Sequence, residues 1–253
     1  MTKPSALTLK HVFLSILWVS CLAAPAHCQG VGTGFPITPH DRGLKSNGPS
    51  LLKQFSQQPF TRALLAGAVA TNIARHWDTE AGPRVRASNM AEFDGIDVGD
   101  VYGDGATLTG LSLVTWGVGA IGKRDHLRET GWMMMKGLVL DGLMVNAVKV
   151  GVARTRPDGS DSRSFPSGHT SSAFTVSTIL ARRYGWKMAI PAYTLATTTA
   201  IARMEDNRHY LSDVVAGAAL GVAIGELITG GHSAHSRLQV TTTASTVGLK
   251  LRF

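Results

Sequence analysis

Five segments within residues 107–229 carry apolar side chains at helical spacing, and short turns marked by glycine or proline separate them. The segments are 107–122, 130–153, 170–184, 188–204 and 210–229. Apolar residues at intervals of three and four fall on one face of an α-helix. A sixth helix with the same pattern is predicted at 60–77. The chain is therefore predicted to be all-α, with a single bundle of about six helices.

Charged residues inside these segments bear on whether the bundle lies in a membrane. They include Lys136, Asp141, Lys149, Asp213 and Glu226. Charges at membrane depth are costly and rare. The hydrophobic fraction is 44% and the mean hydropathy is +0.08, which is typical of a globular protein. We expect a water-soluble bundle that can lie on a membrane surface, and an integral bundle is the alternative.

The N-terminal residues have the pattern of a secretory signal. Two lysines precede an apolar run at 12–24, and small residues follow it. The run is too short for a comfortable membrane span, so residues 1–28 are predicted to be a signal peptide, with an uncleaved anchor as the alternative. Both cysteines, Cys21 and Cys28, lie in or beside it. An exported chain without a disulfide in its mature part points to the periplasm or cell envelope of a bacterium.

The remaining segments divide the chain further. Residues 29–58 are rich in Gly, Pro, Ser and Lys and are predicted to be an irregular arm, and residues 78–105 a polar connection. The helical domain is assigned to 59–230 and a tail to 231–253. The tail ends "LQVTTTASTVGLKLRF", where the alternation of apolar and polar residues predicts a strand.

The first chemical motif is Lys149 followed, after six residues, by Arg156 and Pro157. Lys149 is near the end of a predicted helix, and Pro157 stops any helical continuation. A lysine and an arginine at one point make an anion site, since the guanidinium offers a planar fork for phosphate oxygens. A solvated basic helix end would show the same residues.

The second motif is Pro166-Ser167-Gly168-His169, which stands just before the helix predicted at 170–184. The N-terminus of a helix presents free N–H groups and a partial positive charge, so it binds anions. Gly168 lets the backbone approach a ligand, and His169 would face the bound anion. The alternative is a serine N-cap beside an incidental histidine.

The third motif joins Arg203, His209 and Asp213. His209 and Asp213 are four residues apart and therefore neighbours on one helix face. A carboxylate that holds one imidazole nitrogen leaves the other free to act as a nucleophile. A surface pair that caps a helix is the alternative.

Together, Lys-x6-Arg-Pro, Pro-Ser-Gly-His and Arg-x5-His-x3-Asp resemble the three-part signature of the type 2 phosphatidic acid phosphatase superfamily. The group also includes bacterial class A acid phosphatases and vanadium-dependent haloperoxidases. The resemblance implies that His209 is the nucleophile, that Asp213 orients it, and that His169 is the acid and then the base. It implies that phosphate is held by Lys149, Arg156, Ser167, Gly168 and Arg203. The third motif of the family begins Ser-Arg, whereas this chain has Ala202 before Arg203.

The resemblance implies a metal-independent phosphatase that needs no cofactor and forms a phosphohistidine. Its substrate would be a phosphate monoester or a pyrophosphate, lipid-linked or a small ester, with the membrane surface as a further partner and no nucleic acid. A soluble periplasmic acid phosphatase, a vanadate-dependent haloperoxidase and a non-catalytic envelope protein on the same fold are the alternatives. The net charge of +8 suits a phosphorylated substrate but does not select one.

Overall fold

A computed structural model describes residues 58–88, 95–230, 237–243 and 246–252. Its helices are α1 Pro59–Ala74, α2 Asp78–Arg86, α3 Gly95–Gly103, α4 Gly105–Ile121, α5 Asp125–Val152, α6 Gly168–Tyr184, α7 Trp186–Glu205 and α8 Leu211–Thr229. A short 3-10 turn, Arg75–Trp77, joins α1 to α2. Two antiparallel strands follow, β1 Arg237–Thr243 and β2 Thr246–Arg252. The helical body confirms the predicted all-α class.

The six predicted helices are present, but the predicted number was too low. The stretch 78–105, interpreted as a polar connection, holds α2 and α3. Helix α2 has acidic residues in its first turn and arginines in its last turn, and this arrangement complements the helix dipole. Only Asp78, Ala81 and Val85 of this helix are buried, so its apolar pattern is too sparse to identify it from sequence.

The C-terminal prediction of one strand was also too simple. The alternating segment folds back on itself as two strands, and Val240 is paired with Leu249. The predicted signal peptide at 1–28, the arm at 29–57 and the residues 231–236 lie outside the described residues. Cys21 and Cys28 therefore also lie outside them.

Helix α8 forms the centre of the bundle, because it packs against α6 on one side and α1 on another. Glycines spaced one turn apart let α6 approach closely. A Cβ on Gly217 would lie 2.5 Å from the Ser167 carbonyl oxygen, and one on Gly221 would lie 2.2 Å from that of Ser171. Since no real Cβ contact is this short, the N-terminal turns of α6 and α8 meet only because these residues are glycine.

The apolar character of α8 reflects this central position. Leu211–Thr229 has a mean hydropathy of 1.7 and is long enough to cross a membrane, yet 78% of it is buried within the bundle. Among the described residues it is the one helix that meets these criteria of length and composition. A core helix has the same composition, so α8 alone does not indicate a membrane span.

Candidate active site

The three sequence motifs meet at one end of the bundle, where α5 and α7 end and α6 and α8 begin. Two backbone hydrogen bonds join the second motif to the third and close the third on itself. The Ser167 N–H donates to the Asp213 carbonyl at 3.0 Å, and the His209 N–H donates to the Arg203 carbonyl at 3.2 Å. The motifs, scattered over 65 positions from 149 to 213 in the sequence, therefore form one cluster.

The first motif lies where α5 gives way to a loop. Ala153 ends the helix in the left-handed region, with φ of 48°. The loop then folds back over the helix end, and Lys149 Nζ donates to the Arg163 carbonyl oxygen. Arg156 Nε donates to Asp161 Oδ1 at 2.8 Å. Both predicted phosphate ligands therefore have an acceptor within the loop, which a bound anion must displace or share.

Burial lowers the pKa of Lys149 to about 8, and the charge of Arg156 adds to this effect. A bound anion would relieve the repulsion between the two cations and favour the charged form of Lys149. The Lys149 ammonium is also close to the second motif, since its Cε lies 4.0 Å from the position of a Cβ on Gly168. Lys149 therefore borders the N-terminus of α6.

The second motif forms the N-terminus of α6, as predicted. The helix begins at Gly168, and Ser167 occupies its N-cap position. The Ser167 side chain is fully buried, and its oxygen accepts a hydrogen bond from the Thr170 hydroxyl at 3.0 Å. A hydroxyl that accepts this bond keeps its own proton to donate to a ligand. The adjacent Phe165–Pro166 peptide is cis.

His169 stands in the first turn of α6, half-buried beside α3. Burial lowers its pKa, as does the charge of Arg203, whereas Asp100 and Asp104 oppose the shift. A Cβ on Gly103 would lie 3.2 Å from the Cβ of His169, so α3 packs directly on this histidine. The helix that sequence analysis missed therefore brings Asp100 to the site, and Asp104, the N-cap residue of α4, follows directly after it.

Arg203, the third predicted cation, is held by two acidic neighbours. Its Nη2 forms ion pairs with Asp100 and with Asp206. Its Nε is buried and has no hydrogen-bond partner among the described residues. A buried N–H without an acceptor is costly, so the site has an unsatisfied donor that an anion would satisfy. Ala202, which replaces the family serine, is 2% exposed.

His209 and Asp213 face each other as predicted, but they are not hydrogen-bonded. His209 Nδ1 lies 3.8 Å from Asp213 Oδ2 and has no other partner in the part of the chain described. Burial lowers the pKa of His209, Asp213 opposes this shift, and Lys149 and Arg156 reinforce it. The lowered pKa keeps the imidazole neutral near neutral pH, and a neutral imidazole can act as a nucleophile.

The Asp213 carboxylate is occupied by other donors. It accepts from the Tyr210 N–H at 2.9 Å, from Arg154 Nη1 at 2.7 Å and from the Ser164 hydroxyl. Burial raises its pKa, but the neighbouring His209, these hydrogen bonds and the charge of Arg154 outweigh burial, so the net shift is downward. Asp213 is therefore a buried but ionised carboxylate.

Sequence analysis missed five further polar residues of the site: Asp78, Asp100, Arg154, Ser164 and Ser212. The only sequence signal for Arg154 was its place two residues before Arg156 in "ARTRP". Asp78 lies 76 positions before Arg154, and no short motif joins the two.

Part of the helical region is similar to known proteins. Residues 130–237 match the model of the PAP2 superfamily. A lipid A 1-phosphatase of Porphyromonas gingivalis is 46% identical over 112 residues, which are 42% of this chain and 25% of that protein. A lipid A 4'-phosphatase of Helicobacter pylori is 29% identical over 124 residues, or 45% of this chain and 62% of that protein. The matches thus span less than two thirds of either relative, and no solved structure matches the chain.

Proposed function

We propose that this chain, whose residues 130–237 match the model of the PAP2 superfamily, is a phosphatase of that superfamily that releases phosphate from a lipid-linked substrate through a phosphohistidine. The observation that carries the proposal is the meeting of two histidines with three cations and a helix N-terminus. Phosphoryl transfer depends mainly on positioning and on charge stabilisation, and this set of groups offers both.

In the first step, His209 Nε2 attacks phosphorus because Nδ1 faces Asp213. The bond from phosphorus to the leaving oxygen breaks, and His169 gives that oxygen a proton. The resulting positive charge on His209 is stabilised by the Asp213 carboxylate. Lys149, Arg156 and Arg203 balance the negative charge on the phosphoryl oxygens.

In the second step, neutral His169 takes a proton from water, and the water oxygen attacks phosphorus. The bond to His209 breaks, inorganic phosphate leaves, and both histidines return to their first state. His169 has a lowered pKa while the site holds no anion. A phosphate dianion beside it would raise that pKa again, so substrate binding itself prepares His169 to act as an acid.

The exposed apolar surface supports a lipid-linked substrate. Ile121 on α4 is 88% exposed, and Leu143 and Val150 on α5 are 67% and 76% exposed. Large apolar side chains that are this exposed on two neighbouring helices support a contact with lipid. A cavity of about 380 Å³ also lies between α1 and α8, and Arg154 and Phe165 of the site loop line it. We therefore propose that the bundle contacts a bilayer in the cell envelope and that residues 1–28 direct its export.

The two similar proteins support a particular class of lipid substrate. Both are phosphatases of lipid A. We propose that this chain acts on a phosphate group of a glycolipid of the same class. A soluble aryl phosphate would share only the phosphate, so a preference for the lipid distinguishes this proposal from a non-specific acid phosphatase.

The test is phosphate release by the full chain in detergent, with EDTA present, compared with His209→Ala. We expect the variant to lose about 10⁴-fold or more in kcat, because the nucleophile is removed. The substrates are lipid A, phosphatidate and an aryl phosphate, and bromide oxidation with vanadate and peroxide is measured in parallel. Equal phosphatase activity in the variant, or activity abolished by EDTA, would contradict the mechanism. Bromide oxidation without phosphate release would favour the haloperoxidase alternative.

A further inference from the structure

Arg154 is the centre of a buried charge network behind the nucleophile. Its Nη1 donates to Asp213 Oδ1 at 2.7 Å and to the Ser212 hydroxyl at 2.7 Å. Its Nη2 donates to Asp78 Oδ2 at 2.8 Å. The guanidinium carbon also lies 4.0 Å from the centre of the Tyr210 ring. These contacts fix the guanidinium in one plane and one orientation, as bidentate arginine contacts do.

Asp78 forms an ion pair with this arginine but lies outside the residues that match the family model. It is 52 positions before residue 130, where the family match begins. Its Oδ1 accepts from the Ser212 N–H at 2.8 Å, and its Oδ2 accepts from the Ser212 hydroxyl at 2.7 Å. Asp78 therefore connects α2 both to Arg154 and to the first turn of α8, which carries Asp213.

The network contains one cation and two carboxylates, of which Asp78 is 9% exposed and Asp213 is 0% exposed. Two buried carboxylates without a cation between them would not both stay ionised, because like charges in a poorly solvated site disfavour each other. A protonated Asp213 could not stabilise a positive His209. The arginine therefore supports, together with the hydrogen bonds from Ser164 and the Tyr210 N–H, the charge state on which the proposed reaction depends.

We propose that Arg154, held by Asp78, is a positioning residue that keeps the Asp213 carboxylate ionised and directed at His209. The inference rests on the proposed function in that His209 is taken as the nucleophile. The charged and titratable groups that face the His209–Asp213 pair are Asp78 of α2, Lys149 of α5, Arg154 and Arg156 of the loop, and His169 of α6. Of these, Arg154 alone contacts both carboxylates.

The test compares Arg154→Met, Arg154→Lys and Asp78→Asn with the unchanged full chain. We measure kcat/KM against pH with an aryl phosphate, and the titration of the His209 imidazole by NMR, assigned from its loss in His209→Gln. Loss of the cation raises the proton affinity of Asp213 and His209. The acidic limb of the kcat/KM profile of Arg154→Met should therefore move up by about one pH unit. Loss of an anion acts oppositely, so Asp78→Asn should move that limb to lower pH.

Arg154→Lys keeps the charge but loses the planar fork. Its acidic limb should stay near that of the unchanged chain, while kcat falls about tenfold because Asp213 is less well oriented. Arg182→Met is the matched control, since Arg182 forms a buried ion pair with Glu226 but does not touch the site. It should leave the acidic limb and the His209 titration unchanged, and thermal melting gives the folded fraction of every variant.

Opposite shifts in Arg154→Met and Asp78→Asn support the proposal. If Arg154→Met does not fold, the other two variants test the proposal. It then requires that the acidic limb of kcat/KM moves to lower pH in Asp78→Asn and stays in place in Arg154→Lys. If the acidic limbs of the pH profiles coincide in all folded variants, and activity follows only the folded fraction, then Arg154 has a structural role alone and the proposal is wrong. A chain that releases no phosphate refutes the proposed function, and the His209 titration then still decides whether Arg154 controls this pair.

Discussion

Two buried arginine–carboxylate clusters lie at opposite ends of α8, and their chemistry differs although their residues are alike. The site cluster is Asp78, Arg154, Ser212 and Asp213. The distal pair is Arg182 and Glu226, in which Arg182 donates to both carboxylate oxygens at 2.6 and 2.7 Å. Asp213 and Glu226 are thirteen positions apart on α8, or about 20 Å at 1.5 Å per residue.

The two carboxylates respond to burial in opposite ways. Burial raises the pKa of Glu226, and Arg182 only partly opposes it. The pKa of Asp213 is lowered despite burial, because His209 and the hydrogen bonds from Ser164 and the Tyr210 N–H act with Arg154. An ion pair alone therefore does not keep a buried carboxylate strongly ionised. At Asp213 the neighbouring His209, the Ser164 hydroxyl and the Tyr210 N–H act together with Arg154. Within the part of the chain that the structure describes, the Glu226 carboxylate accepts hydrogen bonds from Arg182 alone.

The strongest test of this comparison is the matched pair of neutral substitutions Asp213→Asn and Glu226→Gln. Asp213→Asn removes the charge that stabilises a positive His209, and we expect kcat to fall about a thousandfold or more. Glu226→Gln is remote from the site, and kcat should stay within about twofold. Initial rates with an aryl phosphate, corrected for the folded fraction, measure both. Similar losses in the two variants would show that both carboxylates serve stability alone.

Substitution in the distal pair should change the free energy of unfolding instead of the activity. Arg182→Met leaves the Glu226 carboxylate, which is 6% exposed, without its cation. We expect a loss of about 2–4 kcal/mol in the free energy of unfolding, because the remaining charge is buried and unpaired. Denaturant titration measures it, and Arg182→Met combined with Glu226→Gln should recover part of the loss. No change in stability would mean that Glu226 is solvated or protonated in the folded chain.

The site and the distal pair also differ in their cations. The site contains Lys149, which titrates near neutrality, whereas the cation of the distal pair is an arginine. Lys149 is protonated below its pKa of about 8 and loses its charge as the pH rises through that value. We expect KM to rise about tenfold between pH 7 and pH 9, as the protonated fraction falls tenfold. Lys149→Arg should flatten this dependence, and exposed Lys136→Arg on the same helix should not alter it. A flat KM in the unchanged chain would remove Lys149 from the phosphate site.

Local patterns in the sequence predicted much of the fold. Apolar periodicity located the six larger helices, because each buries one face. It failed for α2, whose buried face consists of Asp78, Ala81 and Val85 alone. It also failed to separate α3 from the polar stretch, since glycines and aspartates at 94–104 are more typical of turns.

By itself the sequence determined the three motifs, because each motif depends on spacing along one short segment, and their resemblance to a family signature implied the roles expected of His169, His209 and Asp213. Only the tertiary structure decided which donors occupy Asp213 and that Asp100 pairs with Arg203. These contacts join residues 59 and 103 positions apart, and Asp78 is 76 positions from Arg154. The packing of α2, α3 and α8 creates such pairs. No local sequence pattern encodes them, because a charged residue in the sequence does not indicate whether its side chain is solvated by water or paired with a distant buried group.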